Sequence, residues 1–189
     1  MDDRTEAGLL ALCERVVEMA RTRGAEVAEA SARQGWNLSA RVRLGEPELV
    51  EEAGSRAVGL RAMVGGPGKR QVGLTYSSDV SDAGLARLVD DAVELARLAQ
   101  PDEAAEPPDP SSLGKVDTPL ELYDPRGGGV KAEEAIDRAR RSEQAAMAYD
   151  PRITNSEGAT FARVAGASAF VTSGGFRGAY RGSYQSLTV

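Results

Sequence analysis

The stretch of sequence that decides the fold is the last forty residues, 150–189. It begins Asp-Pro-Arg-Ile-Thr-Asn-Ser-Glu-Gly-Ala (150–159) and ends Thr-Ser-Gly-Gly-Phe-Arg-Gly-Ala-Tyr-Arg-Gly-Ser-Tyr-Gln-Ser-Leu-Thr-Val (172–189). Residues 161–171 carry β-branched and aromatic side chains, Gly174-Gly175 supplies a turn that tolerates positive φ, and extended chain resumes at Ala179. The stretch therefore predicts a two-stranded ribbon, and the rest of the chain is the body that carries it.

Three amphipathic helices are predicted before the ribbon. Their apolar residues recur at i, i+3 and i+4, a spacing that buries one face of each helix. Ser81 is the expected N-cap of the second helix. Asp150-Pro151 ends the third, because the residue before a proline disfavours the helical conformation. The predicted helices span residues 5–23, 81–100 and 131–149.

An antiparallel meander of four or five strands is predicted between the first two helices. Residues 37–44 and 56–64 alternate between apolar and polar side chains, and Gln34-Gly35 marks an expected turn. The expected strands are 25–33, 37–44, 49–53, 56–64 and 70–76. The fold class is therefore α+β, a twisted, mostly antiparallel sheet with three helices packed mainly on one face.

An acidic, proline-rich segment at 101–119 separates the second helix from the third. It holds five prolines and has no basic residue before Lys115. This composition is typical of a solvated linker, or of an extended strap that adds little to the core. The chain is thus divided into a helix–meander–helix body (1–100), the strap (101–119), and a helix with the ribbon (120–189) that belongs to the same domain as the body.

The overall composition excludes several classes of protein. A net charge of −6 argues against a nucleic-acid partner and against a polybasic membrane contact. No apolar run reaches the roughly 18 residues of a transmembrane helix, and Met-Asp-Asp is not the start of a signal peptide. A single cysteine, Cys13, provides no disulfide framework, so a cytoplasmic protein is the default. Cys13 lies on the apolar stripe of the first helix and is expected in the core.

The sequence contains no histidine. The usual general base, zinc ligand and triad partner are therefore all missing, and one cysteine cannot build a thiolate zinc site. These residues alone are not expected to perform conventional zinc hydrolysis. No catalytic, cofactor-binding or metal-binding residue is predicted in this chain.

Two motifs in the ribbon carry a family resemblance. The first comprises Asp150, Arg152, Ile153, Asn155, Ser156, Glu157 and Gly158, and the second Ser173, Gly175, Phe176, Gly178, Tyr180, Ser183, Ser186 and Leu187. They resemble the N-terminal domain of the TldD/PmbA family of metallopeptidases, and further landmarks extend the resemblance over residues 8–189. Arg152-Ile153-Thr154-Asn155 is closer to the PmbA (TldE) half of the family. Thr172 stands where the family usually has Asn.

The resemblance implies a peptidase that works in the cytoplasm as a two-subunit assembly. TldD-type chains carry a His-Glu-x-x-x-His zinc motif in the part that follows this domain, and PmbA-type partners lack it. This chain ends before that metallopeptidase-type domain, so zinc is expected only in a TldD-type catalytic partner. The implied role is non-catalytic: the domain frames the access of a peptide substrate and pairs with a TldD-like subunit or with a second copy.

Eight residues are candidate substrate- or partner-facing positions: Asn155, Ser156, Glu157, Gly158, Gly175, Phe176, Tyr180 and Tyr184. The first four form a polar turn, which is either a tight connection or a surface that faces a partner or a bound peptide. Phe176 lies at the ribbon turn, where a large apolar side chain is expected to have few local neighbours. The two tyrosines are an even number of residues apart and point to one face. Their alternative role is to cap the domain's own core.

Other interpretations of the sequence remain open. Two alternatives to the family role are a free-standing protein-interaction module with no proteolytic role and an enzyme that uses carboxylates alone. Gly65-Gly66-Pro67-Gly68-Lys69 precedes a predicted strand and lacks the ending of a phosphate loop, so it is read as a hairpin turn. Arginines in the last forty residues form either a solvated strand face or a contact with an acidic partner such as the strap.

Overall fold

The computed structural model describes residues 4–114 and 120–189, which contain five strands and four helices. In chain order the elements are α1 (Arg4–Thr22), β1 (Val27–Arg43), β2 (Glu46–Val64), β3 (Gln71–Ser77), α2 (Asp82–Leu98), α3 (Pro125–Gly128), α4 (Ala132–Ala148), β4 (Ala159–Thr172) and β5 (Arg177–Thr188). A 3₁₀ turn at Pro110–Ser112 lies between α2 and α3. The three predicted helices correspond to α1, α2 and α4.

The five strands form one antiparallel sheet in the order β3-β2-β1-β4-β5. β1 is the central strand, paired with β2 along one edge and with β4 along the other. The turn between β1 and β2 is Leu44-Gly45, whose φ angles of 50° and 83° suit a tight hairpin. β4 and β5 are the predicted ribbon. The α+β prediction of a mostly antiparallel sheet is confirmed.

The predicted number of strands in the meander is wrong, since the chain between α1 and α2 forms three strands. β1 runs straight through the expected turn at Gln34-Gly35, and β2 runs through the expected break between its two predicted halves. Gly35 lies opposite Ser55 of β2 and Gly166 of β4. Because β1 is paired on both sides at this point, the sheet holds the glycine in an extended conformation and overrides its turn preference.

The long helices pack on one face of the sheet, as predicted. Alternate residues of β1 face them: Ala28, Ala30 and Ala32 lie in a cluster with α1 and α2, and Leu38, Ala40 and Val42 in a second cluster with α4. A two-residue period places all six on the same side of the strand. The other face of the sheet, which we call the open face, carries none of the described helices. Within the described ranges, no helix is long and apolar enough to cross a bilayer.

Two local predictions on the helices are confirmed. The Ser81 hydroxyl caps α2 by accepting a hydrogen bond of 3.1 Å from the Gly84 N–H. Cys13 is fully buried in the cluster beneath α1, with its Sγ 3.8 Å from the Ala169 carbonyl oxygen. Burial, with a smaller contribution from Glu14, raises the pKa of this thiol to about 11, so it stays protonated at neutral pH.

The first part of the acidic strap is docked, which differs from the expectation that the strap adds little to the core. The Asp102 N–H donates to the Arg70 carbonyl oxygen at 2.8 Å, and Ala105 is buried. The Glu106 carboxylate accepts from the Gly68 N–H at 2.6 Å and from Arg70 Nε at 3.2 Å. The first part of the strap thus contacts the β2–β3 turn. Residues 115–119 lie outside the described chain.

Candidate functional site

The eight candidate positions fall into two groups that the structure separates. Residues 155–158 lie just before β4, and Gly175 and Phe176 lie at the turn after it. Because β4 is a continuous strand from Ala159 to Thr172, the two groups are roughly 40 Å apart along it at the usual rise per residue. They do not form one site. Tyr180 and Tyr184 lie on β5, beside the middle of β4.

The polar turn at 155–158 is held against the end of β1 by two arginines. Arg41 Nη2 donates to the Glu157 carbonyl oxygen at 2.6 Å, and Arg43 Nε donates to that of Ser156 at 3.3 Å. Gly158 has a φ of 109°, and a Cβ there would lie 2.7 Å from the Val42 carbonyl oxygen, so only glycine fits. The Glu157 side chain is exposed. The turn is thus a braced connection that presents one free carboxylate.

A buried carboxylate behind this turn was not among the predicted site residues. Glu143 of α4 is 2% exposed and accepts hydrogen bonds from the N–H groups of Leu44 (2.9 Å) and Gly45 (2.8 Å). Burial acts to raise the pKa of Glu143. Hydrogen bonds from the Gly45 amide, the Ser156 hydroxyl and the Leu44 amide outweigh it and, with the charge of Arg43, lower the pKa. Glu143 therefore stays ionised and holds the β1–β2 turn and the polar turn together.

The two tyrosines lie on the open face, on the same side of β5, as their spacing predicts. Tyr180 is opposite Ser168 and Tyr184 is opposite Val164, and the tyrosines are 57% and 68% exposed. Neither ring belongs to the described apolar clusters of the core. Together they form a solvent-exposed aromatic pair.

Phe176 has more neighbours than expected. Its ring lies 5.9 Å from that of Phe170, and a Cβ at Gly178 would come within 3.1 Å of the Phe176 ring. The absence of a side chain at Gly178 thus leaves room for the Phe176 ring. Phe176 stabilises the ribbon turn as well as contributing to the open face.

A row of glycines crosses the open face between the two tyrosines. Gly35, Gly166 and Gly182 lie side by side on β1, β4 and β5. The sheet itself needs glycine at the middle position, because a Cβ on Gly166 would lie 2.7 Å from the Gln34 carbonyl oxygen. The row leaves a strip without side chains that another chain can approach closely, and Leu122 borders it at Gly182, where its Cβ lies 3.9 Å from the position of an added Cβ.

The described residues form no cluster that could hold a metal ion. Within residues 4–114 and 120–189, no three His, Cys, Asp or Glu side chains are placed to share a metal ion. The sequence has no histidine, and its one thiol is buried and protonated. These residues do not fit the zinc site expected of a metallopeptidase.

Comparison with known proteins places most of the chain in one family. Residues 28–96 match the family model described as PmbA/TldA metallopeptidase domain 1, and residues 125–189 match the PmbA/TldA metallopeptidase central domain. The chain is 34% identical over 165 residues to metalloprotease PmbA of Escherichia coli O157:H7, covering 87% of this chain and 35% of that protein. It is 33% identical to the metalloprotease PmbA homolog of Haemophilus influenzae, covering 91% and 37%.

Solved structures share the fold. The crystal structure of TldE from Thermococcus kodakarensis superposes with a TM-score of 0.74 at 14% identity, over 91% of this chain and 37% of that one. A candidate modulator of DNA gyrase from Bacteroides thetaiotaomicron gives a TM-score of 0.80 at 21% identity, over 94% and 39%. The present chain spans little more than a third of the length of these relatives.

Proposed function

Because the chain belongs to the PmbA/TldD family of metallopeptidases, we propose that it is the non-catalytic N-terminal part of such a peptidase. In this role it frames the access of a peptide substrate and pairs with another subunit, either a TldD-like chain or a second copy. We place this assembly in the cytoplasm, in line with the single, buried cysteine.

The observation that carries the proposal is the open face of the sheet. An exposed aromatic pair beside bare backbone is characteristic of an interface, because tyrosine rings bury much area at little entropic cost. Tyr180 and Tyr184 flank Gly182 on the same strand, next to Gly166. Phe170, 39% exposed, extends the same apolar surface toward the ribbon turn.

We assign the metal chemistry of the family to residues outside this sequence. Zinc hydrolysis needs imidazole, carboxylate or thiolate ligands that converge on one point. The residues present here do not converge in that way, so we derive no hydrolytic step through them. In the proposed assembly zinc is held by a TldD-type partner.

A second candidate function rests on the same surface. A free-standing interaction module with no proteolytic role would also use an open aromatic face, and its partner would then be unrelated to TldD-type chains. The third option, catalysis by carboxylates alone, has less support. Each described carboxyl group with a resolved shift, such as Asp79 and Glu143, has its pKa lowered, whereas a general acid needs a raised one.

The test replaces the aromatic pair and measures binding to a full-length TldD-type subunit. The double substitution Tyr180→Ser with Tyr184→Ser is expected to weaken binding about tenfold or more, because exposed aromatic residues dominate interface energies. Its melting temperature should change little. Tyr149→Ser is the control, since Tyr149 is 87% exposed and lies at the end of α4.

Two outcomes would contradict the proposal. If the double variant melts far below the wild type while its folded fraction still binds, the tyrosines serve the domain's own stability. If the wild-type chain associates with itself but not with the TldD-type subunit, the interaction-module function is the better one. Sedimentation velocity on the wild type, the double variant and the control separates these cases.

A further inference from the structure

A second surface, distinct from the open face, lies between α4 and the outer strand β5. Arg138, Arg141 and Ser142 of α4 form one wall, residues 185–187 of β5 form the other, and Phe161 lies at the floor. The space between them is about 420 Å³. We call it the α4–β5 groove. None of its residues belongs to the candidate set derived from the sequence.

The β5 wall of the groove is a sheet edge with backbone groups that point outward. The Ser183 N–H donates to the Leu122 carbonyl oxygen at 2.8 Å, on the side away from β4. Because outward and inward groups alternate along a strand, the N–H groups of Gln185 and Leu187 point to the same side. No backbone acceptor for either is found among residues 4–114 and 120–189. A strand edge beside a helix is the geometry to which extended peptides add as a further strand.

The charge of the groove selects the kind of peptide. Arg138 is already engaged, with hydrogen bonds to Glu134 at 2.7 Å and to Gln185 at 2.9 Å and with its guanidinium over the Phe161 ring. Arg141 is exposed and makes one long contact, 3.4 Å, with the Asp137 carbonyl oxygen. No carboxylate partner for Arg141 is present in the described ranges. An exposed guanidinium that has no carboxylate partner favours a carboxylate ligand.

A similar groove at the opposite edge of the sheet lacks this property. It lies between α2 and β3, and its cation, Arg87, is paired with Asp79 at 3.1 Å. Asp91 adds a negative charge to the same wall. The Thr75 hydroxyl also ties β3 to α2 by donating to the Leu88 carbonyl oxygen at 3.0 Å. The two grooves therefore differ in charge, and only the α4–β5 groove is suited to an anion.

We propose that the α4–β5 groove binds an extended peptide segment that carries a carboxylate side chain. The peptide pairs with the outward backbone groups of Gln185 and Leu187, and its carboxylate contacts Arg141. The inference does not depend on the family role proposed above. It involves a different face, so variants of Tyr180 and Tyr184 should leave it unaffected.

The probe is the peptide Ser-Val-Thr-Val-Glu-Thr-Val-Ser, labelled with fluorescein at its N-terminus and amidated at its C-terminus. The Glu side chain is then the one carboxylate of the peptide itself, and the anionic label is the same in every peptide that is compared. Fluorescence anisotropy is expected to show saturable binding to the 189-residue chain below about 1 mM. The matched peptide with Gln in place of Glu should bind about fivefold more weakly. A peptide N-methylated at alternate backbone amides should not bind, because it cannot pair as a strand.

Two variants assign the contacts. Arg141→Gln should make the Glu and Gln peptides equal in affinity. Leu187→Pro removes an outward N–H without removing a bond to β4, and it should weaken both peptides about tenfold or more. Leu187→Ala keeps the N–H and is the matched control for the proline. Arg87→Gln, in the groove at the other edge, should have no effect.

Several results would overturn the proposal. One such result is the absence of saturable binding by the wild type. Another is that the N-methylated peptide binds as tightly as the unmethylated Glu peptide, and this comparison uses only the wild-type chain. Loss of the Glu preference in Arg87→Gln but not in Arg141→Gln would move the site to the α2–β3 groove. If Leu187→Pro binds like Leu187→Ala, the peptide does not add to the β5 edge.

Discussion

Among single residues, Glu143 connects α4 to the turn between β1 and β2. Its carboxylate satisfies the two N–H groups of the Leu44-Gly45 turn, where Leu44 has a positive φ. Arg140, one turn earlier on α4, donates from Nε to the Gly45 carbonyl oxygen at 2.9 Å. α4 thus bonds to both the N–H groups and a carbonyl oxygen of one turn. The buried charge of Glu143 is tolerated because the Leu44 and Gly45 amides donate to its two oxygens.

We predict that Glu143→Gln destabilises the protein by about 2–3 kcal/mol at pH 7, the usual cost of losing a buried hydrogen-bonded charge. The amide NH₂ of glutamine would face an N–H group of the turn instead of accepting from it. Urea unfolding followed by circular dichroism measures the change. Glu133→Gln, on the exposed side of the same helix, is the control and should change stability by about 0.5 kcal/mol or less.

The same substitution gives a pH dependence with a definite sign. The folded-state pKa of Glu143 lies below its ordinary value of 4.5, so its contribution is fully present above that value. It is lost as the pH falls through the folded-state pKa. The stability gap between the wild type and Glu143→Gln should therefore be constant near neutral pH and shrink in acid. A gap that grows in acid would contradict the assignment.

At the scale of elements, the acidic strap is held at one point. Arg70 is 7% exposed and forms ion pairs with Glu26 at 3.0 Å and with Glu106 at 3.2 Å. Glu106 also accepts from the Gly68 amide, and that bond, followed by the one from Arg70, lowers its pKa. The strap is thus joined to the β2–β3 turn by a nearly buried cation.

We predict that Arg70→Gln releases the strap without disturbing the sheet. Amide exchange of residues 102–106 should become about tenfold faster or more, because their anchor is lost, while α2 stays protected. Hydrogen exchange with mass spectrometry measures both regions. Lys69→Gln, exposed and adjacent, is the control. Unchanged exchange at 102–106 in Arg70→Gln would mean that the strap is held without the Arg70 side chain, by the backbone bond of Asp102, the Gly68 amide and the burial of Ala105.

Elements differed in how well the sequence predicted them. α2 was predicted closely because its apolar period and its Ser81 cap are both local signals. The long strands β1 and β2 were not, since the extended state of Gly35 depends on β4, far away in the sequence. The docking of the strap was missed for the same reason. Its anchor, Arg70, lies just before β3 and pairs with Glu26 and Glu106, which are both distant in the sequence.

At the scale of the whole molecule, the composition makes a prediction about metal. After dialysis the purified chain should hold less than about 0.1 zinc per chain, because no imidazole is present and a tetrahedral site lacks ligands. It should also fail to cleave casein. Metal analysis by mass spectrometry and a chelator-sensitive digest are the measurements. One tightly held zinc per chain would contradict the prediction.

The candidate site was predictable in part. The common orientation of Tyr180 and Tyr184 follows from their even spacing and needs no tertiary information. The tilted contact between the Phe176 and Phe170 rings requires the register of the ribbon, which the sequence does not contain. The buried role of Glu143 could not be predicted from its place on an alanine-rich helix, because the amides that donate to it lie in a turn that is distant in the sequence.

The central position of β1 has a consequence for synthesis on the ribosome. β1 pairs early with β2, but its other edge waits for β4, which is made only after α2, the strap and α4. During those seconds the nascent chain presents a long unpaired edge beside a half-covered apolar face. We therefore expect completion of the sheet to be a late, non-local event that slows folding, and this interval to be the one in which a chaperone protects the chain.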